Sequence, residues 1–402
     1  MRIVFSADWY SEGMGYMENV VPRRFAELGH EVYLISSTMQ VYGDHSFYDD
    51  VYGKFLGKAI LDPGEKVVDG VKVIRLPISC WWKRFKIAKG RTRLIRSLDP
   101  DIVYAWDPRS FQTVLISFAA WFSRYKLFTG NHTVASVYPA YYSYKSWSLY
   151  QRLYLRLSDT LFGWLAGLRT TICFSATPDA CEIAHRFFGL PESKVRHLPL
   201  GLDTVLFRPG QGIEDDLSRQ ALRAELGIAP DELLCIYTGR LTEGKNPCCL
   251  AQAIALLRKG GHKFRALFLG EGEQREAIES VDGCIVKPFA PYRELAKYYR
   301  AADIGVWPRQ ESISMTDAAA CALPIVVSNR MKAVERVSGN GVTYEENDAS
   351  DLMRSLLGLR DADLRAQLGQ CGAEKMRSAF SIETMADRML LDFQAATGSK
   401  FV

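Results

Sequence analysis

The sequence repeats one alternation, a short apolar run followed by a helical stretch, along most of its 402 residues. In the first half, strands are predicted at residues 2–6, 31–36, 71–76, 101–105, 125–129 and 170–175. In the second half, strands are predicted at residues 233–237, 266–269, 283–286, 304–307 and 325–327. Strands that alternate with helices favour an open parallel sheet covered by helices on both faces. The alternation therefore predicts an α/β fold built from two such sheets.

Turn-forming residues separate the two halves, with Pro-Leu-Gly-Leu-Asp at residues 199–203 and a further Pro-Gly pair shortly after it. We predict an N-terminal domain over residues 1–203, a C-terminal domain over residues 204–380 and a closing helix within residues 381–402. Apolar residues recur at helical spacing in that last segment. Two Rossmann-like domains of this kind are expected to face a central cleft, because open sheets bind ligands beyond the carboxyl ends of their strands.

Charge and cysteine usage exclude several classes of protein. The net charge of +4 is too small for the concentrated basic face that nucleic-acid binding needs. Nine cysteines without paired spacings contain no C-x-x-C motif, which favours free thiols in a reducing compartment. The N-terminus lacks the long apolar core of a signal peptide, and no apolar run is long enough to span a bilayer. We therefore expect a cytoplasmic protein.

The segment at residues 311–327 carries two acids at the junction of a loop and a helix. It reads ESISMTDAAACALPIVV, in which Glu311 opens the loop and Asp317 starts an alanine-rich helix that ends before Pro324. A helix N-terminus attracts phosphate through its amide groups and its dipole, while carboxylates accept hydrogen bonds from hydroxyls. A sugar nucleotide offers both kinds of group.

Two cations, Arg240 and Lys245, lie on a glycine-containing loop that follows the predicted strand at 233–237. A diphosphate leaving group needs its charge neutralised, for which arginine supplies a fork of donors and lysine a point charge. An isolated pair of this kind is also typical of a solvated basic turn. The pair by itself leaves both interpretations open.

In order and spacing, these segments resemble the retaining glycosyltransferases of GT-B architecture that form glycosyltransferase family 4, also called group 1. The resemblance extends over nearly the whole chain. The motifs that carry it are the turn at Gly13–Gly15, the linker at 199–203, Gly239-Arg240 with Lys245-Asn246-Pro247, Gly270-Glu271-Gly272, and residues 301–308.

The resemblance implies transfer of a sugar from a nucleoside diphosphate donor, UDP- or GDP-linked, to a hydroxyl of a glycan or a lipid-linked acceptor. It implies retention at the anomeric carbon, a role in cell-surface glycan or glycolipid biosynthesis, and no metal or other cofactor. The catalytic residues that it implies are Arg240, Lys245, Glu311 and His132. The donor-binding residues that it implies are Gly15, Gly239, Gly270, Phe289, Ser312, Ser314, Met315 and Asp317.

One departure from the family pattern lies between the two acids. The family has two glutamates separated by seven residues, whereas five residues separate Glu311 from Asp317. By resemblance, Asp317 would hold the ribose hydroxyls, and Glu311 would face the donor sugar or the phosphates. Asp317 is also a common residue type for capping a helix. The shorter loop leaves the role of Glu311 open.

Two further residues have structural alternatives. His132 follows a predicted strand, where catalytic groups are frequent, but a lone histidine is often a structural imidazole. Phe289 would pack near the base of the nucleotide or equally in the core. A nucleotide-sugar epimerase or hydrolase on the same fold, and a binding subunit without turnover, are the alternative functions.

Aromatic and basic residues are interleaved in the segment 80–96, which reads CWWKRFKIAKGRTRLIR. This pattern fits an interfacial helix on anionic lipid, with Lys83, Arg84 and Lys86 among its bases. A solvated basic helix with inward-facing aromatics is the alternative. The aromatic-rich stretch at 134–164 is interpreted as helix packing that also lines a groove for a lipid-linked acceptor. We expect peripheral attachment to the inner face of the cell membrane.

Overall fold

The computed structural model describes residues 1–82 and 85–398. The chain divides into two compact units, each with its own sheet. The N-terminal unit comprises Met1–Gly201 together with the segment that begins at Ile382, and the C-terminal unit comprises Leu202–Ser381. The predicted α/β fold with two largely parallel sheets is confirmed.

Ten strands of the described residues belong to the N-terminal unit. They are β1 (Arg2–Ser6), β2 (Glu31–Ser37), β3 (Gly64–Val68), β4 (Val71–Leu76), β5 (Ile78–Trp82), β6 (Phe85–Ala88), β7 (Ile102–Trp106), β8 (Lys126–Asn131), β9 (Thr170–Ser175) and β10 (Val195–His197). Eight of them form one sheet in the order β10-β9-β8-β7-β1-β2-β4-β3, in which only β3 is antiparallel to its neighbour. The chain fills this sheet outwards in both directions from β1 and β7. The carboxyl ends of these two strands therefore flank a switch point, where open sheets form a crevice.

The C-terminal unit contains six parallel strands. They are β11 (Leu233–Thr238), β12 (Phe264–Leu269), β13 (Cys284–Lys287), β14 (Ile304–Trp307), β15 (Ile325–Ser328) and β16 (Gly341–Tyr344). Their order is β13-β12-β11-β14-β15-β16, so the switch point of this sheet lies between β11 and β14. The central strands are buried along almost their whole length, as expected for a parallel sheet covered on both faces.

Helices cover the sheets of both units. The α-helices of the N-terminal unit are α1 (Met17–Glu27), α2 (Lys54–Leu56), α3 (Arg91–Ser97), α4 (Phe111–Ala119), α5 (Ala140–Ser143), α6 (Leu149–Leu155), α7 (Leu161–Gly167), α8 (Pro178–Arg186) and α16 (Ile382–Thr397). Those of the C-terminal unit are α9 (Gly212–Glu225), α10 (Pro247–Lys259), α11 (Arg275–Glu279), α12 (Leu295–Ala301), α13 (Ser314–Ala320), α14 (Ala349–Gly358) and α15 (Ala362–Ala379).

Shorter helical turns complete the chain. Turns of π-helix occupy Asp49–Gly53 and Arg156–Thr160, and 3-10 turns occupy Ala120–Phe122, Ala135–Val137, Tyr144–Ser146, Glu192–Lys194, Tyr292–Glu294 and Val334–Arg336. The second π turn joins α6 to α7 without a break, so Leu149–Gly167 forms one continuous helical rod.

Helix α16 packs into the N-terminal unit although it is the last element of the chain. The ring of Phe393 stacks on Phe25 of α1 at a centroid distance of 5.5 Å and meets Phe128 of β8 at 4.6 Å. All three rings are fully buried. The aromatic contacts explain why the closing segment belongs to the unit with which the chain begins.

The segment 80–96 is not the helix that its composition suggested. It forms the antiparallel hairpin of β5 and β6, followed by α3. Lys86 lies on β6, whereas Arg91, Arg93 and Arg96 lie on α3, so these bases do not share one helical face. Lys86 lies over the ring of Trp9 at 4.1 Å, and Arg91 is buried beside Asp8. Lys83 and Arg84 lie outside the described residues.

Candidate functional site

Two loops meet at the switch point of the C-terminal sheet, one after β11 and one after β14. The first carries Arg240 and Lys245, and the second carries Glu311. The Nζ atom of Lys245 donates a hydrogen bond to the backbone oxygen of Glu311 at 2.8 Å. The tertiary structure thus brings together three of the residues that the sequence selected as catalytic.

The environment of Lys245 makes its charge unusually sensitive to pH. Burial and the positive charge of Arg240 lower the pKa of Lys245 to about 8, against the opposing effect of the Glu311 carboxylate. Desolvation and a neighbouring guanidinium both disfavour the charged form of an ammonium group. A phosphate group at this position would add negative charge and favour the protonated form of Lys245.

Glycines allow the neighbouring loops to pack backbone against backbone. A Cβ atom on Gly270 would lie 1.9 Å from the backbone oxygen of Gly239, which has a φ of +147°. The amide of Leu241 donates to the oxygen of Glu271 at 2.9 Å and ties the two loops together. The ring of Phe289 lies 3.6 Å from the same Cβ position on Gly270. Gly239, Gly270 and Phe289 are therefore grouped at the carboxyl ends of β11, β12 and β13.

The start of α13 is tied to the end of β11 through side chains that point inward. The indole nitrogen of Trp307 donates to the Ser314 hydroxyl at 3.1 Å and to the backbone oxygen of Thr238 at 3.2 Å. The hydroxyls of Ser312 and Ser314 are 2.8 Å apart, and Met315 is buried. Of these residues, Ser312 and Ser314 remain partly exposed.

Asp317 lies beneath the loop rather than at its surface. Its residue is only 3% exposed, and its Oδ1 atom is buried without a hydrogen-bond partner among the described residues. Burial, followed by the negative charge of Asp203, raises the pKa of Asp317 well above its ordinary value. Its predicted contact with ribose hydroxyls stays a prediction.

Glu311 is held through both its backbone and its side chain. Its backbone oxygen accepts from Lys245, and its Oε1 atom accepts from the amide of Lys332 at 3.2 Å. The side chain is largely buried. These contacts place Glu311 beside the two cations, and its role towards a donor sugar stays a prediction.

The N-terminal unit has its own pocket, of about 370 Å³, at the switch point between β1 and β7. Its walls combine acids, bases and aromatic rings that follow β1, β7 and β8. The lining includes Asp8, Trp9, Glu18, Lys86, Trp106, Asp107, Arg109 and His132. Gly15 lies in the turn that directly precedes Tyr16, the N-cap residue of α1, and Gly13 in that turn has a φ of +79°.

Burial perturbs the acids of this pocket. It raises the pKa of Glu18 to about 7 and the pKa of Asp8 above its ordinary value, although Arg91 and Lys86 oppose the second shift. Arg109 pairs with Asp107 at 2.9 Å and with Asp159 at 3.4 Å. The pocket therefore offers a carboxyl group that changes its protonation near neutral pH, together with fixed positive charges.

Known proteins match both halves of the chain. Residues 22–206 match the sequence model described as Glycosyltransferase Family 4. Residues 232–361 match the model described as Glycosyl transferases group 1. The chain belongs to the family 4 glycosyltransferases. The family resemblance seen in its motifs is confirmed.

Curated relatives of this family 4 protein include two D-inositol 3-phosphate glycosyltransferases. That of Segniliparus rotundus is 29% identical over 230 residues, which are 52% of this chain and 49% of the relative. That of Thermomonospora curvata is 29% identical over 234 residues, which are 53% of each protein. The chain spans about half the length of the curated relatives that it matches.

Solved structures are similar over almost the whole chain. A glycosyltransferase from Rickettsia africae has a TM-score of 0.72 at 14% identity, with 99% of both chains covered. Anabaena HepE, solved in complex with UDP-glucose, has a TM-score of 0.68 at 15% identity and covers 98% of this chain and 100% of its own. At these identities the likeness concerns the fold, and the predicted GT-B fold class is confirmed.

Sequence reasoning selected His132 but missed most of the pocket around it. Asp8, Glu18 and Arg109 were not selected, although Asp8 follows β1 and Glu18 lies in the first turn of α1. For Asp8 and Arg109, the position after a strand end was the available signal. Within residues 1–82 and 85–398, no cluster of three or more histidine, cysteine, aspartate or glutamate residues is arranged to hold a metal ion. The expectation that no metal is needed stays a prediction.

Proposed function

We propose that this family 4 protein transfers a sugar from a nucleoside diphosphate donor to an acceptor hydroxyl, with retention at the anomeric carbon. One observation carries the proposal. Arg240 and Lys245 converge at the switch point of the C-terminal sheet, where burial, followed by the positive charge of Arg240, lowers the pKa of Lys245 to about 8. A diphosphate carries enough negative charge to pair with two adjacent cations, and arginine and lysine both form charge-assisted hydrogen bonds with phosphate oxygens.

The two cations act on the leaving group. As the bond between the sugar and the diphosphate breaks, negative charge grows on the phosphate oxygens. Fixed positive groups aimed at that developing charge usually contribute the largest share of catalysis. Arg240 and Lys245 would supply this stabilisation, and a departing phosphate that accepts the acceptor proton would need no protein nucleophile.

The surrounding loops would complete the donor site. Gly239 and Gly270 keep side chains away from the backbone that would approach the nucleotide, and Phe289 places a ring beside them. Ser312 offers a partly exposed hydroxyl at the same place. Asp317 would reach the ribose only if α13 shifted to uncover its carboxyl group, since that group is buried.

The proposed donor is a UDP-sugar. Support comes from HepE, a structural relative solved with UDP-glucose, and a GDP-sugar is the alternative. The proposed acceptor is a hydroxyl of a glycan or of a lipid-linked glycan. The pocket lined by His132, Glu18 and Arg109 offers the mixture of hydrogen-bond acceptors and donors that a polyhydroxylated molecule needs.

The test combines donor binding with product analysis. Binding is first measured against UDP-, GDP- and ADP-sugars, and the tightest donor is incubated with candidate acceptors. We expect a glycosylated product whose anomeric configuration, read by NMR, matches that of the donor. Arg240→Ala and Lys245→Ala should each lower turnover roughly 10²-fold or more, as the loss of one oxyanion donor does.

Two exposed cations away from the switch point serve as controls. Lys259→Ala and Arg354→Ala remove exposed cations of the same unit and should leave turnover unchanged. Full activity in both Arg240→Ala and Lys245→Ala would rule out the assignment. An epimer or free sugar as the product would favour the epimerase or hydrolase alternative, and donor binding without any product would favour a binding subunit.

A further inference from the structure

The surface of the rod Leu149–Gly167 is apolar where a soluble helix is normally polar. Exposed apolar side chains recur at helical spacing from one end of the rod to the other. In the rod and the turn after it, they are Leu149, Tyr150, Leu153, Tyr154, Leu157, Leu161, Trp164 and Leu168. Leu149 reaches 84% exposure. An exposed apolar stripe about 28 Å long marks an interaction surface rather than an ordinary solvated face.

The rod cannot turn this stripe inward, because its opposite face is already fixed. A Cβ atom on Gly163 would lie 2.1 Å from the backbone oxygen of Phe188, so the two backbones are in direct contact. Asp159 is buried and accepts hydrogen bonds from Arg109 at 3.4 Å and from the Tyr138 hydroxyl at 3.0 Å. These contacts orient the rod and leave its apolar stripe on the outside of the N-terminal unit.

Further exposed aromatic residues extend the stripe at its end near α7. The Ser117 hydroxyl of α4 donates to the oxygen of Ala166 at 2.9 Å, which packs α4 against α7. Trp121 and Phe122 follow α4, and Phe122 is 79% exposed. Arg169, which follows the rod, lies over the ring of Trp121 at 5.0 Å. The turn that contains Trp121 and Phe122 therefore belongs to the same surface as the rod.

The hairpin that the sequence selected also joins this surface. Trp82 stacks on Phe85 at 6.0 Å, and Phe85 meets Phe162 of α7 edge to face at 5.6 Å. Trp82 is strongly exposed. The two aromatic-rich segments of the sequence, 80–96 and 134–164, are thus in contact in the folded unit. We call the exposed residues of the rod, with Trp82, Trp121 and Phe122, the apolar face.

Positive charge borders the apolar face. A pocket of about 480 Å³ beside Phe122 is lined by Arg93, Arg96 and Arg124, with Asp99 as its acid. Asp99 pairs with Arg124. Within the described range 149–167, Arg156 is an exposed base, whereas the single acid, Asp159, is buried. The border therefore has a net positive charge at the end where the aromatic rings are most exposed.

We propose that the apolar face docks on the surface of an anionic lipid bilayer, with the rod lying in the plane of the interface. Apolar and aromatic side chains enter the boundary between headgroups and acyl chains, and flanking arginines bind the lipid phosphates. The pocket of Arg93, Arg96 and Arg124 would take a phosphate headgroup. This inference places the membrane contact expected from the sequence on the rod, and it does not depend on the donor chemistry.

The test is flotation of the full chain with vesicles of phosphatidylcholine, with and without phosphatidylglycerol. The stripe variant Leu153→Gln/Leu157→Gln/Trp164→Gln should partition onto anionic vesicles at least about tenfold less than the wild type. Arg93→Gln/Arg96→Gln should reduce binding at low salt and have less effect at high salt. The matched control Ile213→Gln/Leu217→Gln removes two apolar residues of α9 that are at least as exposed as those of the stripe variant. It should bind vesicles as the wild type does.

Several results would overturn the proposal. They are wild-type protein that does not float with anionic vesicles, a stripe variant that floats normally, and equal binding to neutral and anionic vesicles. A dimer that the stripe variant abolishes, without vesicle binding, would assign the apolar face to a second copy of the chain. UDP binding and thermal unfolding are measured on each variant. If the donor proposal is wrong, the protein will float with anionic vesicles but will not bind UDP. If the membrane proposal is wrong, the protein will bind UDP but will not float.

Discussion

Lys245 shows how a single side chain depends on its neighbours. In an unfolded chain its ammonium group would stay charged to high pH, but burial and Arg240 lower its pKa to about 8. The folded protein therefore holds fewer protons than the unfolded chain between about pH 8 and the ordinary lysine range. By linkage, this one group makes the fold less stable at pH 7 than at pH 10, and an anion bound beside it would remove that penalty.

This charge should make donor binding depend on pH. Above about pH 8, diphosphate binding must return a proton to Lys245, so the affinity for UDP should fall by up to about tenfold per pH unit. Lys245→Arg keeps the positive charge throughout this range and should give a flat profile between pH 7.5 and 9.5. Calorimetric titration with UDP measures both profiles, and Lys259→Arg on the exposed end of α10 is the control. An identical slope in wild type and Lys245→Arg would contradict the assignment.

Asp317 should make stability fall as pH rises. Its pKa is higher in the folded protein than in the unfolded chain, so the fold binds an extra proton above about pH 4. In the unfolded chain this carboxyl group ionises at its ordinary pKa, whereas in the fold it keeps its proton to higher pH. The free energy of unfolding therefore falls as pH rises from the ordinary aspartate range towards the raised pKa of the folded protein. Asp317→Asn lacks the ionisation, so its melting temperature relative to wild type should be higher at pH 8 than at pH 5.

Thermal unfolding at the two pH values measures this difference, at about 2–4 °C for each kcal/mol recovered. The control is Asp216→Asn on the exposed surface of α9, which should shift the melting temperature equally at both pH values. A melting temperature of Asp317→Asn that falls relative to wild type as pH rises would show that the carboxyl group is ionised in the fold.

At the scale of elements, the loops after β11 and β12 behave as one structure. The amide of Leu241 donates to Glu271, and the amide of Gln274 donates back to the oxygen of Leu241 at 2.9 Å. Gly270 permits this contact because no side chain stands between the two backbones. The position of Arg240 and its neighbours is therefore set partly by a glycine on another loop.

Gly270→Ala should separate these loops. The new Cβ atom would lie 1.9 Å from the oxygen of Gly239, so the backbones must move apart at a cost of about 3 kcal/mol. We expect a lower melting temperature together with a loss of UDP affinity. Gly358→Ala, at a glycine of the same unit with open space around it, should lower neither quantity. UDP affinity that survives Gly270→Ala would dissociate the loop contact from the donor site.

The hairpin of β5 and β6 shows why composition misassigned an element. The residues at 80–96 have the aromatic and basic content of an interfacial helix, but composition does not specify which side chains share a face. In the hairpin, Trp81 donates to Asp44 at 2.8 Å, and Lys86 lies between the rings of Trp9 and Trp81. These partners are distant in sequence, so local reasoning had no means to find them.

At the scale of the whole molecule, the N-terminal unit is closed by the last helix of the chain. Phe393 of α16 fills a buried position against Phe25 and Phe128, whereas Leu391 on the same helix is 67% exposed. No described helix of either unit has the length and apolar character required to cross a membrane.

Phe393→Ala should weaken the N-terminal unit selectively. Removing a buried ring from this cluster should cost about 3–5 kcal/mol, because the remaining rings cannot fill the cavity. Hydrogen exchange followed by mass spectrometry should show faster exchange in α1 and β8 and no change in β11 and β12. Leu391→Ala is the matched control on the same helix and should leave the exchange rates of all four elements unchanged. Equally faster hydrogen exchange in the strands of both units would refute the division of the chain into two units.

Much of this protein was readable from its sequence. The two-sheet α/β architecture followed from the alternation of strands and helices, since a buried parallel strand needs a short continuous apolar run. The two cations were found because they follow a predicted strand end, where parallel sheets bind ligands, whereas Gly239 and Gly270 were found through the family resemblance. Helical periodicity in the last segment indicated α16, and the domain bounds drawn from turn residues stay a prediction.

The tertiary structure decided what depends on neighbours that are distant in sequence. It placed Asp317 under its loop, lowered the pKa of Lys245, and gathered Asp8, Glu18 and Arg109 around His132. It also put the apolar side chains of the rod on the outside, because Gly163 and Asp159 bind its other face to the core. Burial and electrostatic coupling are properties of residues that meet in space, and a local pattern in the chain does not contain them.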